Sequence, residues 1–210
     1  MKTLIDFIHN KAFPCIMAKA VSKNGNLVIN EEDEITSVKS IESIQNKLYQ
    51  FVDSYRHSRD KLHSFVLVLN NKSYHSFDHF EKAFWFFLHS LKKLDGLHYI
   101  HDTRVSSYPD DDNFSFSIKS EAFFILALHP QSPRKSRRFS KPVIVFNPHQ
   151  QFEKLRERKI FKKIQSIIRD RDKKLQGSIN PMLSDFGERT EVFQYLGKVY
   201  NANDHNPLIL

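Results

Sequence analysis

The chain has 210 residues and a formal net charge of +8, from 32 Lys and Arg against 24 Asp and Glu. That length accommodates one substantial core and is short for two, and a hydrophobic content of 40% with 19 Phe excludes a disordered chain. A single cysteine, Cys15, excludes an internal disulfide framework and a cysteine-rich zinc site, while the positive balance points to an anionic partner such as nucleic acid, phosphate or a carboxylate-bearing cofactor.

Residues 2–9 carry a short helical pattern that stops before Phe13-Pro14-Cys15. Asp6 and His9 interrupt this apolar start and no small-residue cleavage site follows, so a secretory signal is not expected and a cytoplasmic protein is. Residues 16–21 and 27–29 are expected to pair as two strands across Asn24-Gly25, where tolerance of positive φ suits a hairpin. Ile41, Ile44, Leu48, Phe51, Val52 and Tyr55 recur at helical spacing, and FVLVL at 65–69 suits a strand covered on both faces. Phe77, Phe80, Phe84, Phe87, Leu88, Leu91 and Leu94 define a second long helix, with Trp85 off its stripe. After a polar loop, Phe114, Phe116 and Ile118 alternate with serines as a half-buried strand does. A three-residue connection then returns AFFILAL (122–128) antiparallel to it, and 142–146 forms a further strand. One helix is expected from about 148 to 175, with Phe152, Leu155, Phe161, Ile164, Ile167 and Ile168 on one face and Gly177 and Pro181 closing it. The pattern predicts an α+β fold, a mostly antiparallel sheet packed with three to four helices, in a single domain over 1–210. No apolar run approaches the ~20 residues of a membrane span, and no glycine-rich phosphate loop is present.

Several stretches could carry chemistry. HPQSPRKSRRF begins where the AFFILAL strand ends, which puts His129 at the rim of the core and Ser132, Arg134, Lys135, Arg137 and Arg138 in a proline-marked loop. Arginine forks match carboxylates or phosphates, so the loop reads either as an anion site or as a solvated basic surface. In FNPHQQFE, Asn147 is a good N-cap, Pro148 suits the first helical position, and His149 falls in the first turn, expected close to His129. Such histidines could ligate a metal or a haem iron, or be satisfied structural residues. Asp185, Glu188 and Glu191 gather carboxylates that could read a cationic substrate bidentately or neutralise the basic loop. Cys15 could be a thiolate ligand or a small buried hydrophobe. The Lys- and Arg-rich 148–175 helix supports a nucleic-acid reading, although interspersed Glu153, Glu157, Asp170 and Asp172 suit an ordinary salt-bridged surface and no recognised binding motif accompanies it.

FPCIMAKA, the Trp85 helix ending in LKKLD, FSFSIKSEAFFILALHPQSPRKSRRF, PVIVFNPHQQFEKLR, IIRDRDKKLQGSINPMLSDFGE and QYLGK occur in this order over nearly the whole chain. Together they resemble the YqcI/YcgG family, whose members include haem-dependent hydroxylases that place oxygen on a guanidine nitrogen in guanitoxin and D-cycloserine biosynthesis. The resemblance implies a b-type haem, activation of oxygen or peroxide, an electron donor, and a small cationic guanidine-type substrate. It implies that Arg134, Arg137 and Arg138, with Ser132 and Asn147, hold the haem, the arginines on its propionates. It leaves His149, His129 and Cys15 as alternatives for the iron ligand, and implies Asp185 and Glu188 for the substrate. QYLGK departs from the QYSGR more usual among relatives, which leaves the substrate open. Two other readings stand beside this one: a haem- or metabolite-binding protein without turnover, and a basic nucleic-acid-binding protein. A homodimer is compatible with all three.

Overall fold

The structure, a computed structural model, describes residues 3–201 and 203–209. In chain order its elements are α1 (Leu4–His9), α2 (Ile16–Lys23), β1 (Leu27–Glu32), α3 (Val38–Arg56), β2 (Ser64–Leu69), α4 (Phe77–Asp95), β3 (Phe116–Ile118), β4 (Glu121–Leu128), β5 (Val143–Pro148), α5 (Gln150–Glu157) and α6 (Phe161–Gln176). The strands form one sheet in the order β1-β2-β5-β4-β3. β1 runs parallel to β2 and every other neighbour is antiparallel. The fold is α+β, as the interleaved strands and helices predict. No described helix is long and apolar enough to cross a membrane.

Side chains alternate across a pleated sheet, so each strand contributes to two separate apolar layers. Phe65, Leu67, Phe123, Ile125, Ile144 and Phe146 face the buried stripes of α3 and α4 and form the main core. Val66, Val68, Leu128 and Val143 face the other way, toward α1, with Phe139. This two-sided covering is why β2 is buried at all six positions and reads as a continuous apolar run. Trp85 leaves the α4 stripe to stack on Tyr195, with centroids 6.3 Å apart.

Six α-helices stand among the described residues where three to four are expected, and several local expectations are corrected. Residues 16–21 are helical: Cys15 caps α2, its Sγ accepting from the Ala18 N–H at 3.4 Å. Gly25, at φ +72°, leads from α2 into β1, and β1 pairs in parallel with β2 instead of folding back as a hairpin. The expected 148–175 helix is two, broken where Lys159 takes φ +58°. Asn147 and Pro148 belong to β5, and His149 holds the cap position of α5. The β3–β4 connection is a two-residue turn, Lys119-Ser120, with φ of +53° and +54°, the type I′ geometry that matches strand twist.

The largest correction concerns distance. Leu128 pairs with Val143 and Phe123 with Pro148, so the C-terminal ends of β4 and β5 lie at opposite edges of the ladder. At ~3.4 Å per residue the strand length separates His129 from His149 by roughly 20 Å. They cannot share a metal.

Candidate functional site: an apolar cavity and a buried ion network

On the sheet face away from α3 and α4, Val66, Phe124, Leu126, Leu128 and Val145 form the floor of a cavity of about 300 Å³. Its roof comes from α1, α2, α6 and the segment 183–194. The apolar stripe of α6 supplies Phe161, Ile164 and Ile168, yet none of the 16 residues of this helix is fully buried. In α2, Val21 is buried while Met17 and Ala18 are only partly covered over the cavity. An amphipathic helix ordinarily gains its stability by burying that stripe. Here two helices hold theirs over open space, which is how a protein presents apolar walls to a ligand.

His149 lines this cavity and is buried. Its Nδ1 donates to Glu153 Oε1 at 3.1 Å and its ring packs on Phe186 with centroids 4.4 Å apart. The hydrogen bond with His149 holds the Glu153 carboxyl below its usual range, against the opposing effect of burial. An ionised Glu153 assigns the proton to Nδ1, which makes Nε2 the lone-pair nitrogen of the neutral ring. A carboxylate behind the far nitrogen is the arrangement that orients metal-ligating histidines.

The network extends behind Glu153. Glu153 Oε2 accepts from Arg104 Nη1 at 3.0 Å, and Arg104 Nη2 also donates to Asp102 at 2.5 Å and to Glu121 at 3.0 Å. Glu121, fully buried at the start of β4, accepts from Arg59 at 2.7 Å and lies 3.6 Å from Arg56. His149 is therefore braced by a chain of charges anchored at the start of β4.

The other polar lining groups differ in how far they are already committed. Cys15 is half-buried, and burial pushes its thiol up. Asn147 lines the cavity but is satisfied within the sheet, accepting from Ser64 Oγ at 2.7 Å and donating to the Phe124 carbonyl at 3.3 Å. Arg156, Arg169 and Arg189 also line it. Arg156 lies over the Phe161 ring at 4.4 Å, a contact that leaves its donors available.

Glu191 is the lining carboxyl that differs most from a surface acid. It is 5% exposed, and its Oε1 accepts from Ser115 Oγ at 3.0 Å and Tyr195 Oη at 2.6 Å. Burial pushes this carboxyl up to about 8 from an ordinary 4.5. Between those two values the folded chain holds a proton that the unfolded chain lacks, so this group's contribution to stability falls as pH rises through the interval. The urea midpoint is expected to drop between pH 6 and pH 9, and Glu191→Gln is expected to make that drop shallower. Equal slopes in the two proteins would mean that Glu191 is ionised throughout.

With this geometry in hand, comparison with known proteins is informative at one level. A sequence model of the YqcI/YcgG family matches residues 4–208. The chain belongs to the YqcI/YcgG family. Searches among curated proteins and among solved structures gave no match.

In this YqcI/YcgG chain the basic loop lies off the cavity, and its arginines bond within the fold although Lys135 and Arg138 remain exposed. Arg134 pairs with Asp172 and donates to the Ser178 carbonyl at 2.8 Å. Arg137 donates to the Tyr195 carbonyl at 2.6 Å, and Arg138 to the Ser132 carbonyl at 2.6 Å. Ser132 Oγ accepts from the Arg134 N–H at 3.3 Å. The arginines thus tie the β4–β5 loop to the end of α6 and to the C-terminal segment. Gly197 completes the packing: it sits at φ +68°, and a Cβ there would meet Arg137 Cδ at 2.7 Å. The SRRF and QYLGK stretches are two sides of one contact.

His129 is also fully engaged. Nε2 donates to the Tyr74 carbonyl at 2.9 Å, Nδ1 accepts from the Gln131 N–H at 3.0 Å, and the ring lies against Phe77 and Phe80. Asp185 reaches the cavity but accepts from Lys162, from Gln165 at 2.8 Å and from Arg169 at 3.4 Å. Glu188 Oε2 accepts from the Asp185 N–H at 3.1 Å and lines a second cleft with Lys159 and Lys162. Of the residues singled out from sequence for the iron, the cofactor or the substrate, the cavity therefore gathers His149, Cys15, Asn147, Asp185 and Glu191, and leaves out His129, Ser132, Arg134, Arg137, Arg138 and Glu188. The residues it adds were partly detectable: Gln165 and Arg169 are polar intrusions beside the apolar stripe of α6. Arg104 carries no sequence signal, because its partners Asp102, Glu121 and Glu153 come from three separate segments.

Proposed function

We propose that this protein is a haem-dependent oxygenase that hydroxylates a guanidine or amine nitrogen of an arginine-like small molecule, working in the cytoplasm with a separate electron donor. The observation that carries the reading is the apolar cavity with His149 in its wall, Nδ1 tied to Glu153 and Nε2 left as the lone-pair nitrogen. Haem is flat and apolar with an anionic edge, and the residues present fit it. The sheet face and the stripes of α2 and α6 suit the two macrocycle faces, and Ile164 and Ile168, partly exposed as they stand, would be buried by it. Among the described residues no group of three His, Cys, Asp or Glu is arranged for a bare metal ion, whereas an iron held by a porphyrin needs only one or two axial groups.

Haem, when bound, supplies activation of oxygen or peroxide for transfer to nitrogen. The protein's own contributions are orientation, charge and dryness. His149 would hold the iron through Nε2, and Glu153 with Arg104 fixes its ring and tautomer. Arg156 and Arg189, which have no ion pair among the described residues, would be the cavity's cations for the propionates, in place of the committed arginines of the basic loop. Cys15 would be the rival ligand, through a thiol that burial holds above its ordinary range. Phe124, Phe152 and Ile168 keep water from the reacting atoms.

The test is spectroscopic, then chemical. Protein purified from haem-supplemented cells is expected to show a Soret band, and incubation with arginine, an electron donor and oxygen to give a product heavier by a single oxygen in mass spectrometry. A chain that neither carries nor takes up haem refutes the proposal. Haem uptake without turnover of any guanidine or amine would leave the protein a haem carrier.

A further inference from the structure

Carboxylates around the cavity fall into two classes. Glu153 is bonded to His149 and Arg104, Asp185 is surrounded by Lys162, Gln165 and Arg169, and Glu188 lies outside. Glu191 alone lines the cavity with no ion pair among the described residues, and its side-chain partners, Ser115 and Tyr195, are neutral hydroxyls. We infer that Glu191 is the cation anchor of this cavity, taking the guanidinium or ammonium end of a small organic cation. The inference rests on the proposed function only for the kind of cation expected.

The physical case concerns the cost of charge in an apolar wall. An organic cation entering such a site loses several kcal/mol of hydration unless it meets a buried counter-charge. A permanently ionised carboxylate would carry that cost while the cavity is empty. Glu191 avoids it by holding a proton, since burial pushes its carboxyl up. When the cation arrives, the Glu191 O–H bond breaks, the proton leaves to solvent, and the carboxylate–cation pair takes its place with no change in the charge of the site beyond the pair itself. Ser115 Oγ and Tyr195 Oη already donate to Oε1, so the ionised form is oriented and stabilised without rearrangement.

The groups facing Glu191 are consistent with this exchange. Ser115 comes from the segment before β3, Tyr195 from its own turn, and Arg156 from α5 is the cation close enough to favour the ionised form. Arg156 stays over the Phe161 and Phe186 rings at 4.4 and 5.8 Å, and Arg189 over Phe193 at 4.9 Å. Neither pairs with Glu191. Gln194 beside it is tied to Ser184 at 3.2 Å.

The experiment is calorimetric titration of the full chain after haem reconstitution, at pH 7 in two buffers of different ionisation enthalpy. The probes are arginine, agmatine and the uncharged isostere citrulline. Arginine and agmatine are expected to bind with release of close to one proton, and citrulline to bind at least tenfold more weakly. Glu191→Gln, which keeps the shape, is expected to lose at least tenfold in affinity for both cations together with the proton release. Binding that is proton-neutral and equal in the variant, or no binding of any probe, overturns the inference. The Soret band recorded beforehand separates the two proposals. Cation binding with Glu191-dependent proton release in a chain that takes up no haem upholds the anchor and sinks the oxygenase.

Discussion

His149→Ala is expected to abolish the Soret band of the reconstituted protein, while His129→Ala leaves the band in place and lowers the melting temperature. The contrast follows from which ring nitrogens are already engaged. His129 spends both nitrogens inside the fold, on the Tyr74 carbonyl and the Gln131 N–H. Its loss strands a buried carbonyl and removes an aromatic contact with Phe80, which together cost about 2–3 kcal/mol. For a chain of this size that is a fall of roughly 4–10 °C in a thermal melt. His149 spends one nitrogen on Glu153, and the ring, whose other nitrogen has no hydrogen bond among the described residues, lines the cavity. Cys15→Ser is the third arm and is expected to retain the band, with the ferrous CO spectrum reporting histidine rather than thiolate ligation. A folded His149→Ala protein with an unchanged Soret band would hand the iron to Cys15.

Glu121→Ala is expected to be among the most destabilising changes outside the apolar core, by about 2–3 kcal/mol. Glu121 is fully buried and accepts from or approaches Arg59, Arg104 and Arg56 at 2.7, 3.0 and 3.6 Å. Removing one partner of a buried ion cluster typically costs about 3–5 kcal/mol, because the charge left behind has lost its compensation. The three arginine side chains are each about a third exposed, so water recovers part of the loss and the expectation is placed just below that range. A urea titration measures it directly. A shift below about 0.5 kcal/mol would show that the cluster is an ordinary surface network. The same variant frees Arg104, so weaker haem retention should accompany the lost stability.

The elements that were legible in the sequence share a physical reason. The stripes of α3 and α4 and the continuous run of β2 face a core that covers them completely, and full covering writes an unambiguous period. The 16–21 stretch was ambiguous because a short apolar run fits strand and helix equally. Cys15 capping α2 and the parallel pairing of β1 with β2 decided it. The break at Lys159 lacked any Gly or Pro to announce it. The basic loop looked like an anion site because charge is visible in sequence and a carbonyl partner is not: Arg137 and Arg138 meet backbone oxygens.

By itself the sequence determined the fold class, the family and the presence of His149 and Cys15, because composition, periodicity and motif order are properties of the chain. Tertiary structure decided which of these residues share a site. The antiparallel ladder of β4 and β5 sends His129 and His149 to opposite edges, and the alternating faces of the sheet put Val66, Phe124 and Val145 under a cavity while Phe65, Phe123 and Phe146 enter the core. Strand direction and register result from packing over the whole molecule, so no local stretch contains them.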